Sequence, residues 1–450
     1  MTNKTNKTNK KVSLINIITT IILIFILFLA WNFYLDNNFN DFLRSEAKLR
    51  TSKFLRDDEV KYSNIRSYKI ESNEYNDAMF SKEIEVEKNT PYKVTCMVKT
   101  DNVEPEKEKT DAGAQISISD TTEKSISISG THDWQKLEFV FNSKNRDKVD
   151  IAFRLGGVDG NARGKVWFSD FSIEKGNKEE NNDWNYACFI LKNTSVNIDG
   201  KQININVTDE DIRNIKDTIK RFEKSCNTLS KGKMKANCDI HIVYEPVSTL
   251  SYDEEFGYYL EPKDIEPHIK DIINQNNYDH IFAIVRLGND KYMNEIEVKD
   301  WIGLGSMDYY GIGFSNIRLP NASKSYTYKY KRGVNEFPEE VFLHEFLHSL
   351  ERTAKESGYK IPALHDYEKY GYADEKLVGQ KKWYMDYMNK EIETDNGKIG
   401  LPAEIYNMKP AKNLNFEYSY KLNEYKEPQN FIEEVQQIFN KVCKTISELI

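Results

Sequence analysis

The chain has 450 residues, with 71 acidic and 63 basic side chains and a formal net charge of −8. The two signs are interspersed, and no basic stripe exists that could follow a phosphate backbone, which excludes nucleic acid as an expected partner. Aromatic residues make up 12% of the chain, so it is expected to fold rather than stay disordered, and its length is enough for two or three domains.

The N-terminal segment stands apart from this polar average. Val12 to Leu35 carries no charge and follows Lys4, Lys7, Lys10 and Lys11. Its length suits a membrane-spanning helix, and its basic flank predicts a cytoplasmic N-terminus. The exit Phe28-Leu-Ala-Trp-Asn-Phe-Tyr34 is a poor cleavage site, which favours an uncleaved anchor over a signal peptide. We therefore expect a cytoplasmic tail over 1–11, a transmembrane signal-anchor over 12–35 and a stalk over 36–57. The expected location is the cell membrane, single-pass, with the bulk of the chain outside. Five cysteines without a C-x-x-C pair argue against a disulfide scaffold or a thiolate metal site. Whether Cys226 and Cys238 pair stays open at this level.

From 58 to 176 the sequence alternates with period two. Tyr92–Lys99, Ala114–Ser119, Leu137–Phe141, Val149–Leu155 and Val166–Ile173 read as strands, separated by Gly, Asn and Asp turns. This pattern predicts an all-β sandwich. Three stretches, Pro91-Tyr-Lys-Val, Gly130-Thr-His-Asp-Trp-Gln-Lys-Leu and Gly164-Lys-Val-Trp-Phe-Ser-Asp-Phe-Ser-Ile-Glu, resemble the jelly-roll carbohydrate-binding modules of secreted bacterial enzymes. That resemblance implies a surface glycan as a candidate partner, with Trp134 and Trp167 as candidate stacking platforms. Residues of this type more commonly serve as core, because aromatics bury the largest apolar areas. Asp170 is a candidate oxygen ligand for a structural Ca²⁺, although a surface carboxylate is the commoner role.

A charged linker, Gly176–Asp183, leads into the second domain, 183–450. The expected elements are a helix over Asp209–Cys226 with Thr208 as N-cap, a strand over Asp239–Tyr244, a helix over Pro262–Gln275, a buried strand over His280–Arg286 and a glycine-rich edge strand over Gly311–Leu319. Pro338 is placed to open a further helix, which contains His344-Glu345-Phe346-Leu347-His348 and is expected to run to about Gly358. Histidines at i and i+4 share one helix face and can hold one Zn²⁺, with Glu345 beside the metal as a proton acceptor. Val341, Phe342, Leu343, Phe346, Leu347 and Leu350 make this helix apolar over much of its surface, as for a buried central helix.

This order of elements, together with H-E-x-x-H, resembles the N-terminal half of the zincin metallopeptidases, whose edge strand pairs with an extended substrate. The fold expected is thus multidomain: a transmembrane helix, a jelly-roll sandwich, and an α+β zincin-like domain around a central H-E-x-x-H helix. The resemblance implies one catalytic Zn²⁺ held by three protein ligands, one of them outside the motif. The metzincin pattern would place a His six residues after His348, where Ala354 stands, and would place a Gly at Glu351. Candidates for the third ligand are His365, then Glu368, then Asp366. Tyr370 and Tyr372 are candidate oxyanion stabilisers, Glu351 a candidate to orient a ligand, and Met408 a distant likeness to the metzincin methionine turn. The expected activity is zinc-dependent hydrolysis of peptide bonds in protein or glycoprotein substrates at the cell surface. The alternatives are a non-catalytic glycan-binding or adhesion protein on a zincin-like platform, and a cell-wall amide hydrolase.

Overall fold

The computed structural model describes residues 43–421, apart from 107–111, 159, 180, 289–295, 300, 310, 320–336, 338, 373–377 and 412–415. The expected tail, the expected membrane span over 12–35, Pro338 and Cys443 lie outside the described residues. Among the described residues no helix is long and apolar enough to cross a membrane. Cys96, Cys188, Cys226 and Cys238 are free thiols.

The N-terminal half is a β-sandwich of two antiparallel sheets. Its strands are β1 (Arg44–Ala47), β2 (Lys53–Tyr62), β3 (Ile65–Asn76), β4 (Ala78–Glu85), β5 (Pro91–Pro105), β6 (Gly113–Ile118), β7 (Gly130–Asn142), β8 (Lys148–Gly156) and β9 (Ala162–Gly176). One sheet runs β1-β4-β8-β6 and the other β2-β3-β9-β5-β7. Alternate residues of each strand turn inward, so Val94, Cys96 and Val98 of β5 meet Ile151, Phe153 and Leu155 of β8 in one apolar layer. Arg154 is also enclosed, and its guanidinium holds both oxygens of Asp77.

Two boundaries differ from the sequence reading. The segment expected as a stalk is strand from Arg44 onward: Leu43 is 4% exposed and the Phe54 ring stands 5.2 Å from Phe80, so this segment closes one end of the apolar layer. Its apolar residues are too sparse to reveal that alone. The second domain does not extend unbroken to the C-terminus either. The last described strand, β15 (Phe416–Lys421), returns to the sandwich and pairs antiparallel with β9.

The second domain is built on a five-stranded mixed sheet. Its strands are β10 (Asp183–Leu191), β11 (Lys235–Val243), β12 (His280–Arg286), β13 (Gly303–Tyr309) and β14 (Ile312–Leu319), in the order β11-β10-β12-β14-β13. The first four strands of that order are parallel, and β13 is antiparallel to β14 at the edge. The glycine-rich strand expected at the edge, β14, is therefore interior, because β13 folds back along it. Helices α1 (Asp209–Leu229), α3 (Glu340–Glu356) and α4 (Val378–Asn389) cover one face, and α2 (Pro262–Gln275) covers the other.

Local chemistry sets the helix ends. Thr208 caps α1 as expected, accepting from Asp211 N–H while the Asp211 carboxylate accepts from Thr208 N–H. Pro262 stands at the first turn of α2, where its missing N–H costs nothing. Helix α3 stops at Ser357, and Gly358 takes φ +81°, a conformation open to glycine. The face of α3 that carries Phe342, Phe346 and Leu350 is buried against Tyr186 and Phe282 of the sheet and Phe222 of α1. That packing leaves His344 and His348 on the face turned towards the chain beyond Gly358.

Candidate metal centre

His344 and His348 are half-buried neighbours on α3, with their Nε2 atoms 3.2 Å apart. His365 reaches them from the loop after α3, and its Nε2 lies 2.9 Å from that of His344. The ligating atoms of all three imidazoles fall within 4.8 Å of one another, and among the described residues this is where three metal-ligating side chains converge. The loop is held where it must be. Leu364, 1% exposed, donates its N–H to Glu351 of α3 and accepts a hydrogen bond from the Trp383 indole of α4 at 2.9 Å. His365 is the next residue and is delivered to the helix by that clamp.

The outer nitrogens have partners that fix the rings. The Tyr384 hydroxyl donates to Glu340, so its oxygen accepts from Nδ1–H of His344 at 2.8 Å. Nδ1 of His348 faces a Glu351 oxygen at 3.2 Å, and as a donor it makes the same kind of bond. With the Nδ1 protons so placed, the Nε2 atoms of both helix histidines present lone pairs to one shared point. Lone pairs facing one another at this distance repel unless a cation lies between them. The donor set is chemically that of a zinc site, in which imidazole nitrogens lie about 2.0–2.1 Å from the ion and carboxylates support them from behind.

The electrostatics agree with neutral ligands. Burial brings His344 down to about 3, with the charges that His348 and His365 would carry acting in the same direction. Burial likewise lowers His365, assisted by His348. Burial alone would raise Glu351, but hydrogen bonds from His348 and Lys355 outweigh it and bring that carboxyl to about 2. Glu351 is thus an anion that touches both the second histidine and the loop carrying the third.

Glu345 is 5% exposed and lies against β13. A Cβ at Gly303 would come within 2.5 Å of its side chain, and one at Gly305 within 2.6 Å of its backbone oxygen, so two glycines of the edge strand make room for it. Strand β13 shifts register between Leu304 and Met307, an irregularity beside the site. Burial, and then the charge of Glu340, raises the Glu345 carboxyl to about 8, while the Gly305 N–H opposes the rise. A carboxyl with raised proton affinity is a stronger base than an ordinary glutamate once it is ionised.

The remaining sequence candidates lie elsewhere. Glu368 is exposed and outside the imidazole cluster, and Asp366 faces Lys369 at 3.5 Å. Tyr372 donates to Asp386 at 2.6 Å, and Tyr370 stacks on Trp383, so both are engaged in the α4 interface. Met408 packs against Ser357, beyond the end of α3. Trp167 is buried and donates to Asp57, whereas Trp134 is half-buried with its ring 5.8 Å from Tyr62. Asp170 takes φ +52° in β9 and belongs to no cluster of three metal-ligating side chains among the described residues. Sequence reasoning gave Gly303, Gly305, Tyr384 and Glu340 no role at the site. Only Glu340, one helical turn before His344, carried a local signal in its spacing.

No family model matches the chain. A curated relative, the tRNA(Glu)-specific nuclease WapA of Bacillus subtilis subsp. natto (strain BEST195), is 29% identical over 102 residues, which cover 21% of this chain and 4% of that protein. Among solved structures, the module TmCBM61 in complex with β-1,4-galactotriose is 16% identical, covering 31% of this chain and 92% of the module at a TM-score of 0.22. The CBM22-1 xylan-binding domain of Paenibacillus barcinonensis Xyn10C is 14% identical, covering 29% of this chain and 85% of the domain at a TM-score of 0.20. These neighbours are carbohydrate-binding modules, and a likeness this distant carries no function across.

Proposed function

We propose that this chain is a zinc-dependent peptidase, anchored in the membrane and facing outward. The observation that carries the reading is the meeting of three imidazoles, His344, His348 and His365, beside the buried carboxyl of Glu345. Zinc, when bound there, lowers the pKa of a water and polarises a carbonyl. The chain's own groups do the rest. Tyr384 and Glu351 hold the helix imidazoles with Nε2 inward. Glu345 takes the proton of the attacking water and hands it to the leaving amine. Edge strand β13 offers a backbone along which an extended polypeptide can be laid.

A second reading rests on the sandwich. Trp134 and Tyr62 form an aromatic pair, and aromatic faces of this kind can stack on sugar rings, which supports glycan binding by a surface protein with or without catalysis. One experiment separates the two. The purified protein is incubated with a mixture of peptides and, in parallel, passed over immobilised glycans. The peptidase reading predicts cleavage that a chelator abolishes and added zinc restores. Glycan retention with no cleavage under any metal condition would leave the adhesion reading alone.

The membrane anchor is proposed from Val12–Leu35 and the lysines before it. Protease added to intact cells is expected to release the chain beyond Asp36. Full protection, with the protease shown to be active on another surface protein, contradicts that orientation.

A further inference from the structure

The sandwich and the second domain meet at one end of the edge strand. Asn142 donates to the Lys409 carbonyl at 2.9 Å, Asn89 to the Asn407 carbonyl at 3.0 Å, and Lys144 pairs with Glu356 in the last turn of α3. The turn between β13 and β14 touches the sandwich as well, since a Cβ at Gly311 would lie 3.3 Å from the Val140 carbonyl. These bonds seat strand β7 and the 122–127 segment at a fixed place relative to β13.

Between them lies a cavity of about 1140 Å³. Its lining comes from both domains: Ile126 and Phe139 of the sandwich on one side, Leu304, Met307 and Tyr309 of β13 on the other. It also reaches residues of both helical layers, Arg352 of α3 and Glu266 of α2, as a space wrapped around the outer edge of the sheet must. Ile126 is 44% exposed, an apolar side chain left open on this wall. On the floor, Nδ1 of His280 and the hydroxyl of Ser349 are buried without a hydrogen-bond partner, flanking Gly313.

We propose that the sandwich supplies one wall of the substrate cleft, and that Ile126 helps select the residues on the N-terminal side of the scissile bond. This rests on the peptidase reading. The first half of β13, Gly303 to Gly305, lies against Glu345, and its second half, Met307 to Tyr309, borders the cavity. A polypeptide pairing antiparallel with β13 has its scissile bond near Glu345 and sends its N-terminal side towards Tyr309, into the space facing Ile126. The occupant is thus an extended polypeptide long enough to span both domains, and the sandwich acts as part of the peptidase in addition to any surface it binds.

The test uses the full chain and peptides chosen from those the wild-type protein cleaves, each paired with a form shortened on the N-terminal side of the cut. Ile126→Arg is expected to lower kcat/KM on the long peptides by about tenfold or more, the scale on which a pocket discriminates. Rates on the shortened forms should stay unchanged. Ile126→Ala is expected to shift the residue preference on that same side, which guards against a folding defect in the arginine variant. An unchanged ratio of long to short rates in both variants overturns the proposal. If wild-type protein and Glu345→Gln cannot be distinguished on any peptide, the peptidase reading itself has failed, and the wall falls with it.

Discussion

Glu345→Gln is expected to keep zinc bound and to lower turnover by about 10²–10⁴-fold, the range over which a general base contributes. The expectation follows from where the side chain sits. Glutamine has the size of glutamate, so the space left by Gly303 and Gly305 still accommodates it, and its amide oxygen can still accept from Gly305 N–H. Glu345 is not among the three convergent imidazoles, so the metal should remain. What the variant should lose is the proposed acceptor for the water's proton. Side-by-side measurement of metal content and turnover checks this, and a variant that cleaves as fast as the parent removes Glu345 from the reaction.

His365→Ala is expected to strip the metal, whereas Asp366→Ala and Glu368→Ala retain it. In the structure only the first of these side chains joins His344 and His348. Deleting a ligand should weaken zinc binding by more than the 10–100-fold typical of residues that merely support ligands. Glu351 provides the calibration. It touches His348 and the Leu364 N–H but offers no atom to the shared point, so Glu351→Gln should fall within that supporting range. Zinc titration of the four variants decides the ranking. If Glu368→Ala alone loses the metal, the site belongs to a carboxylate-ligand arrangement and the loop seats differently from the geometry described.

The legibility of this chain varied with how local each cause is. Helix α2 begins at Pro262 and strand β12 spans His280–Arg286, as read from a proline at the first turn and an unbroken apolar run. The interior strand β10 is absent from the expected elements, although its Ala187 to Leu191 is the same kind of unbroken apolar run as that of β12. Burial on both faces of the sheet explains that pattern. Strand β13 is harder still: its two glycines disfavour a strand in isolation, and only the approach of Glu345 from α3 accounts for them.

The motif itself was fully local, since i and i+4 on a helix determine which two rings meet. The third imidazole was legible as a candidate only, because its position depends on Glu351 and Trp383 gripping Leu364, and one of those partners comes from α4. Tyr384 lies 40 residues from the His344 ring that it orients, beyond the reach of any pattern in the sequence.

The most direct measurement is the metal content of the full-length protein, purified in detergent and dialysed against metal-free buffer. Elemental analysis should find one zinc per chain in the wild-type protein and none after alanine substitution of both His344 and His348. A wild-type protein without zinc that also fails to take it up from a buffered excess, or a double variant that keeps a full equivalent, contradicts the assignment of this site.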